Sequence, residues 1–322
     1  MNTGRKHLSV FVFSLFLLLA NPVNADQVAS VKKDNYQARE LAKAADKLRQ
    51  EGRHLEAIEK YQKAIGLNQK YEEAYYNRGN SYDATGDKRR AIKDYDKVLE
   101  LNPQYAKAYN SRGNAYFGLG NKRQAIMDYS KAIEINPQYA KAYNNRGNAY
   151  DALADTRRAI KDYDRAIDLN PRYAEAYSNR GNAYYNLGEK KQAIKDYDQA
   201  IKINPQYAEA YYNSGNAHDD LGEKKQAIKD YDQAIEINDQ FANAYYNRGV
   251  VYSGLGDKRR AIKDYSKAIE INPQYAKAYY NRGMAYSALE DNNMAREDWK
   301  RSAKLGNKAA QRLLYEKGVV WE

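Results

Sequence analysis

The chain has no cysteine among its 322 residues, and tryptophan (2), phenylalanine (5), proline (6) and histidine (3) are scarce. The absence of cysteine excludes disulfides, thiolate metal sites and cysteine nucleophiles. The two histidines beyond the N-terminal segment, His54 and His218, are far apart and have no partner ligands in sequence, so no two-histidine metal motif exists. No glycine-rich phosphate loop or nucleophile elbow is present either. The sequence therefore predicts a protein that is not an enzyme and uses no cofactor or metal.

Acidic residues are missing from the first 25 positions, although the whole chain carries 53 basic and 42 acidic residues. Arg5 and Lys6 precede an apolar run from Leu8 to Ala20, and small residues follow at Val23-Asn24-Ala25. This order predicts a secretory signal peptide over residues 1–25. The apolar run is shorter than the roughly 20 residues that span a bilayer, which makes an uncleaved anchor the weaker alternative. We therefore expect an exported protein, periplasmic or extracellular, with no transmembrane segment after cleavage.

Tyrosine, by contrast, is abundant, with 33 residues, and most of them recur with a period of 34 residues. Such a period is the sequence signature of a repeat array. We number the repeat positions 1–34 from each start. Ahead of the array, residues 26–37 are a polar leader whose composition is compatible with disorder. The eight repeats occupy residues 38–305 and begin at residues 38, 72, 106, 140, 174, 208, 242 and 276.

Each repeat is predicted to form two helices. In the repeat beginning at Ala106, Tyr109, Gly113 and Tyr116 share one helical face, and Ala125, Tyr129 and Ala132 share another. Leu-Gly followed by Asn, Asp or Glu ends the first helix and caps the second, and Asn-Pro ends the second helix. Glycine at position 8 and alanine at position 20 predict a close crossing of the two helices, because glycine inside a helix costs about 1 kcal/mol.

The last residues, 306–322, are predicted to form a capping helix and a tail. Ala309, Ala310, Leu313 and Leu314 lie on one apolar stripe of this short helix. Terminal units of a repeat array need such a cover, because the last repeat otherwise exposes its core.

These aromatic, glycine, alanine and proline positions, at a 34-residue period, resemble those of the tetratricopeptide repeat family over residues 38–309. The resemblance implies an all-α fold, a right-handed superhelical solenoid of about eight helix-turn-helix units. It also implies that first helices line a concave groove and that second helices lie outside. The function that it implies is a non-catalytic scaffold that binds a peptide segment of a protein partner in the groove.

Tyrosines outside the regular core positions are candidates for partner binding. Four of them stand at position 5 and one at position 12, on the face that lines the groove in this family. Tyrosine offers apolar contact and a hydroxyl at low entropic cost. The alternative is that these rings only cover neighbouring helices. The candidates are Tyr76, Tyr212, Tyr246, Tyr280 and Tyr185.

Two runs of asparagine complete the candidate site, because asparagine is a poor residue for the middle of a helix. Its amide can donate to and accept from a peptide backbone at once. The alternative is hydrogen bonding between adjacent repeats. Position 6 holds Asn77, Asn145, Asn179, Asn213, Asn247 and Asn281, and position 9 holds Asn80, Asn114, Asn148, Asn182 and Asn216. Position 9 changes to Val250 and Met284 in the last two repeats, which predicts a more apolar C-terminal part of the site.

Two charge patterns also follow the period. Arginine at position 7 and aspartate at position 23 predict an ion pair within or between repeats. Clusters of lysine and arginine at the turn between the helices predict a basic edge, which offers a second function: binding of an anionic envelope polymer or a membrane surface. The alternative is a solvated rim. Nucleic acid is not expected as a partner, because it conflicts with export.

Overall fold

The computed structural model of the protein describes residues 25–321, and this part of the chain contains 17 helices and no strand. The predicted all-α fold of paired helices is confirmed. Except for Ala25, the predicted signal peptide lies outside the described residues. The helices are α1 (Ala25–Gln50), α2 (His54–Leu67), α3 (Glu72–Ala84), α4 (Lys88–Leu101), α5 (Ala106–Gly118), α6 (Lys122–Ile135), α7 (Ala140–Asp151), α8 (Thr156–Leu169), α9 (Ala174–Asn186), α10 (Lys190–Ile203), α11 (Ala208–Asp220), α12 (Lys224–Ile237), α13 (Ala242–Gly254), α14 (Lys258–Ile271), α15 (Ala276–Ala288), α16 (Asn292–Lys304) and α17 (Lys308–Glu316).

The chain divides into two compact units, of which the first ends at Gly86 and contains helices α1–α3. Its core is built from small residues around the buried ring of Tyr61. Helix α1 already begins at Ala25, so residues 26–37, the polar leader whose composition is compatible with disorder, form the first part of this helix. That segment is polar, but it contains no proline or glycine, and the helix therefore continues through it without a break.

The second unit begins at Asp87 and contains helices α4–α17. From α6 to α14, each second helix packs against the first helix of its own repeat and against the first helix of the next repeat. Helix α4 packs against α5, and α16 packs against α15 and α17. Consecutive first helices also approach one another directly, from α5 to α15. We call the side of this unit that is formed by α5, α7, α9, α11, α13 and α15 the first-helix face. It is the surface that carries the candidate residues of the second unit.

Local signals set the helix ends. The Asp155 carboxylate accepts a hydrogen bond from the Arg158 backbone amide and caps α8, and Asn136 accepts one from the Gln138 amide where α6 ends. Gly120, with φ of +82°, turns the chain between α5 and α6 in a conformation that favours glycine. The predicted cap residues Asn121, Glu189 and Glu223 make no side-chain cap hydrogen bond, so the turn does not depend on them.

The glycine at position 8 makes room for the tyrosine ring at position 24. A Cβ atom on Gly113 would lie 2.6 Å from Cε1 of Tyr129, whose side chain is almost fully buried. On Gly181, the ring of Tyr197 is again the first neighbour, and the Ala193 carbonyl comes next at 3.2 Å. The predicted close approach is therefore real, but a side chain comes closest and the backbone of the second helix follows.

Helix α17 packs on the last repeat. Ala310 and Leu314 are buried together with Trp299 and Ala303 of α16, which is the contact expected of a capping helix. Ala309, which the sequence placed on the same apolar stripe, is exposed. The helix is only 9 residues long, and one row of its side chains is enough to cover the neighbouring helix.

Candidate functional site

The side-chain oxygens of the asparagines at position 9 accept hydrogen bonds from other side chains of the protein. In four repeats of the second unit, the position 24 tyrosine donates its hydroxyl to this oxygen at 2.8 Å. In three of them the oxygen also accepts from the position 6 asparagine of the following repeat, at 2.8–3.0 Å. The four acceptors are Asn114, Asn148, Asn182 and Asn216.

The amide nitrogens of the same four side chains point away from these interior donors. Because each oxygen is fixed by donors from inside the protein, the orientation of the amide is determined. Within the described residues no hydrogen bond from Nδ2 of these asparagines is found, and none of these nitrogens is a buried unpartnered atom. The first-helix face therefore presents a row of amide donors that are open to a ligand.

The asparagines at position 6 join adjacent repeats. Asn145 donates to Asn110 and Asn114, and Asn179 donates to Asn144, each at 3.0 Å. Asn247 and Asn281 donate to the hydroxyls of Tyr212 and Tyr246, at 3.1 and 3.0 Å. These contacts agree with the alternative that was considered for this run, hydrogen bonding between repeats.

The first unit contains the same arrangement with aspartate at position 9. The hydroxyl of Tyr61 donates to the Asp46 carboxylate at 2.5 Å, and Asn77 Nδ2 donates to the same oxygen at 3.0 Å. An aspartate is thus compatible with both interior hydrogen bonds. Tyr76 and Asn80 are half-buried on α3 of this unit.

Tyrosines at position 5 are half-buried rather than free. The Tyr212 ring lies 4.9 Å from Phe241, and the Tyr246 ring lies 4.8 Å from Tyr275, measured between centroids. Burial raises the pKa of Tyr246, and the hydrogen bond from Asn281 opposes this shift. Tyr280 packs beside the capping cluster of Trp299 and Leu314. The exposed edges of these rings contribute apolar surface next to the amide row.

Tyr185, the candidate at position 12, donates its hydroxyl to Asp220 of the next repeat at 2.7 Å. Burial and this hydrogen bond raise the pKa of Tyr185 to about 12. Asp220 also lies 3.0 Å from Lys190 Nζ, and its contacts with Tyr185 and Lys190 lower the pKa of its carboxyl. Tyr185 thus bridges two repeats at the edge of the candidate site.

Position 9 changes from polar to apolar in the last two repeats. Val250 and Met284 replace asparagine there, and both side chains are exposed, at 36 and 45%. Nearby, Tyr246 and Tyr280 offer ring edges on the same helices, α13 and α15. The first-helix face therefore has an amide-rich middle and an apolar C-terminal end, as the sequence predicts.

The predicted ion pair exists both within and between repeats. Arg112 makes two parallel hydrogen bonds to Asp128 of its own repeat, at 2.8 and 2.7 Å, and a third contact to Asp96 of the preceding repeat at 2.6 Å. Arg180 and Arg248 repeat this pattern. Arg146 and Arg282 contact a serine of the preceding repeat in place of the aspartate. We call each such arginine with its partners a clamp.

The clamp residues carry opposing pKa effects. Burial acts against the charge of Arg112, but the hydrogen bonds and charge of Asp128 outweigh it and keep the arginine pKa high. Burial raises the pKa of Asp128, and Arg112 offsets only part of that shift. The two parallel hydrogen bonds favour the ionised forms of both groups.

One repeat of the second unit lacks the clamp, and sequence reasoning did not foresee what replaces it. In the repeat beginning at Ala208, Ser214 stands at the arginine position, and its hydroxyl donates to Asp230 at 2.9 Å. His218 Nδ1 lies 2.7 Å from the same carboxylate oxygen. The paired departures from arginine and tyrosine in one repeat were the available signal, since His218 fills the space near Asp230 that arginine occupies elsewhere.

This Ser–His–Asp group does not have the geometry of a proton relay. Both Ser214 and Asp230 contact the same ring nitrogen of His218, at 3.3 and 2.7 Å, whereas a relay needs contacts to both nitrogens. Nowhere in residues 25–321 do three or more histidine, aspartate or glutamate side chains cluster in a way that could hold a metal ion. The group is a local substitute for the clamp.

Paired helices stacked through a common 34-residue pattern define a helical repeat protein. Tetratricopeptide repeat profiles match residues 72–105, 106–139, 174–207 and 242–275, and also 129–161, 196–229 and 265–297. A further TPR repeat profile matches residues 45–86, 156–188 and 215–256. The chain belongs to the tetratricopeptide repeat family, whose members are generally non-catalytic scaffolds for protein–protein contacts.

Solved structures share the fold at low sequence identity. A tetratricopeptide repeat protein from Parabacteroides merdae has a TM-score of 0.58 and 23% identity, over 77% of this chain and 98% of that one. PilF of Pseudomonas aeruginosa has a TM-score of 0.59 and 20% identity, over 66 and 97%. The Cut9–Hcn1 hetero-tetramer of the APC/C has 0.61 and 16%, over 90 and 59%. No curated protein matches the chain.

Proposed function

We propose that the first-helix face binds an extended peptide segment of a protein partner. The observation that carries this proposal is the row of side-chain amides at Asn114, Asn148, Asn182 and Asn216. Their oxygens accept interior hydrogen bonds, and among the residues that the structure describes their nitrogens have no partner. A peptide backbone offers carbonyl acceptors at regular spacing, which is what a row of fixed donors recognises. Because the interior hydrogen bonds hold the amides in place, little side-chain entropy is lost on binding.

The apolar C-terminal end of the first-helix face recognises side chains of the peptide. Val250 and Met284 are exposed where the earlier repeats have asparagine. We expect side chains of the peptide to contact them and the neighbouring tyrosine rings, while the amide row holds the backbone. Specificity then resides in α13 and α15, and register in α5, α7, α9 and α11.

The test uses substitutions that remove only the outward donors. Peptides are selected from a random library displayed on phage against the full chain, and their affinity for N148D/N182D/N216D is measured by calorimetry. Aspartate keeps the inward acceptor, as Asp46 demonstrates, but replaces each open donor with a carboxylate oxygen. Since each lost hydrogen bond contributes about 1 kcal/mol, we expect affinity to fall by at least about tenfold.

The matched control is N121D/N204D/N293D, which adds the same charge at exposed positions in turns and on second helices, away from the row. It should bind the peptide like the wild type. Equal affinity of both triple variants for the selected peptides would refute the proposal.

We also propose that the protein is exported. Support comes from the order of basic, apolar and small residues in positions 1–25. Expression of the full gene in a bacterial host, followed by N-terminal sequencing of the mature chain, tests this. A mature protein that begins at Asp26 is expected, and an intact Met1 or its immediate neighbour at the N-terminus would argue against export.

A further inference from the structure

A row of exposed leucines follows the turns between the first and second helices of the second unit. They stand at repeat position 14, directly before the left-handed residue of each turn, and are 41–55% exposed. Single exposed leucines are common on protein surfaces, but here they recur in equivalent places of five repeats and lie along one border of the unit. The residues are Leu119, Leu153, Leu187, Leu255 and Leu289.

Neighbouring turns adjoin one another, and in the turn between Leu187 and Leu255 the equivalent Leu221 is half-buried. Lys122 donates from Nζ to the carbonyl of Ala152 in the next repeat, at 2.6 Å. Lys190 reaches Asp220 of the next repeat at 3.0 Å in the same way. Arg123 and Leu153, from consecutive repeats, line one surface depression. We call this border of the second unit the turn edge.

The structure divides the basic clusters of the turn edge into engaged and open cations. The first lysine of a cluster is held at the end of a first helix, as Lys224 is by Asp219 and Lys258 by Ser253. At the third position, Arg158 is neutralised by the cap residue Asp155. The second residue of each cluster is exposed and has no hydrogen bond or ion pair within the described residues. These open cations are Arg123, Arg157, Lys191, Lys225 and Arg259.

We propose that the turn edge docks on the surface of an anionic lipid bilayer. The open cations would contact lipid phosphates, and the leucines would enter the boundary between headgroups and acyl chains. A soluble polyanion would be recognised by the cations alone and would gain nothing from the leucines, which favours the bilayer. In residues 25–321 no helix is long and apolar enough to cross a membrane, so the contact is peripheral.

The experiment is sedimentation of the full chain with vesicles of phosphatidylcholine alone or mixed with phosphatidylglycerol. We expect binding only to the mixed vesicles. The variant L119Q/L153Q/L187Q/L255Q/L289Q keeps the net charge and should lose at least tenfold in vesicle affinity. The variant R123Q/R157Q/K191Q/K225Q/R259Q should lose at least as much, since each cation near an anionic surface contributes roughly a fivefold factor.

A control variant removes five lysines that lie one helical turn further along the second helices, K93Q/K161Q/K195Q/K229Q/K263Q. Its loss should be at least fivefold smaller than that of the edge-cation variant. Circular dichroism and binding of a phage-selected peptide should be unchanged in all variants, which separates this proposal from peptide binding at the first-helix face. Failure of the wild type to bind mixed vesicles, wild-type binding by the leucine variant, or equal losses in both cation variants would overturn it.

Discussion

At the scale of single residues, seven of the eight repeats close around one buried tyrosine at position 24, and the last repeat has Trp299 there. In the repeat beginning at Ala140, the Tyr163 ring takes the space that Gly147 leaves free, and its hydroxyl donates to Asn148 at position 9. One side chain thus sets the distance between two helices and also orients a donor on the first-helix face. Packing and the candidate site are therefore coupled through the same residue.

This coupling predicts opposite effects for two glycine-to-alanine substitutions. A Cβ on Gly147 would lie 2.6 Å from the Tyr163 ring, whereas a Cβ on Gly254 would meet no atom within 4 Å. Overpacking costs about 1–3 kcal/mol, and alanine is favoured over glycine in helices by about 1 kcal/mol. In urea unfolding we expect G147A to be less stable than the wild type and G254A to be equal or more stable. Equal stability of the two variants would contradict this packing account.

Sequence reasoning located the asparagines of the candidate site but not the direction of their amides. The period and the poor helix propensity of asparagine single out Asn148 and Asn182. The donors that fix the direction come from a tyrosine 15 residues away and an asparagine 31 residues away, as at Asn182. Such contacts depend on how the helices pack. The sequence alone therefore left peptide binding and repeat-to-repeat bonding as alternatives, and the structure assigns the oxygens to the second.

At the scale of helices, the clamps join five repeats of the second unit to the repeat before each of them. Asp196 is almost fully buried, and Arg180 connects it to Asp164 of the preceding repeat. Removal of one member of a buried pair usually costs more than the pair itself contributes, because a charge stays behind without a partner. The repeat at Ala208 avoids that cost with Ser214 and His218, but it has no arginine to reach Asp198 of the preceding repeat.

Restoring the clamp in the repeat beginning at Ala208 should stabilise the protein. S214R/H218Y places at Asp230 and Asp198 the residues that the neighbouring repeats use. Hydrogen bonds to charged groups contribute about 1.5–3 kcal/mol, so we expect a higher midpoint of thermal unfolding for the double variant. H218Y alone, which removes a partner of Asp230 without supplying arginine, should lower the midpoint. A double variant that unfolds below the wild type would mean that this junction is packed differently from the others.

At the scale of the whole molecule, the buried tyrosines make stability depend on alkaline pH. Burial raises the pKa of Tyr163, Tyr197 and Tyr231 far above the ordinary value of 10.0. A raised pKa means that above pH 10 the unfolded chain loses protons that the folded chain keeps. Stability is therefore fully present below pH 10 and falls as the pH rises toward the folded-state values.

The loss of stability at alkaline pH grows with the number of buried tyrosines. Each buried tyrosine contributes about 1.4 kcal/mol of destabilisation per pH unit in this range. We expect circular dichroism and tyrosinate absorbance to change together in one cooperative transition within about two pH units above 10. Gradual ionisation of tyrosines with the helices intact would show that these rings are accessible in the folded protein.

The 34-residue period and the alternation of first and second helices were predictable over most of the molecule, because the same residue pattern recurs in each repeat. The two ends were less predictable. The N-terminal helix extends through residues 26–37, where nothing in the sequence ends it, and α17 buries only Ala310 and Leu314. Terminal segments lack a copy for comparison, so their structure depends on local propensity and on the neighbour that they cover.

The most direct test of peptide binding at the first-helix face is an NMR titration of the side-chain amides. A phage-selected peptide is added to the full chain, and the Nδ2 signals of Asn148, Asn182 and Asn216 are followed, with those of Asn121 and Asn293 as references. We predict that the first three signals shift with a common dissociation constant while the reference signals stay in place. Peptide binding that leaves these three signals unchanged would contradict the account.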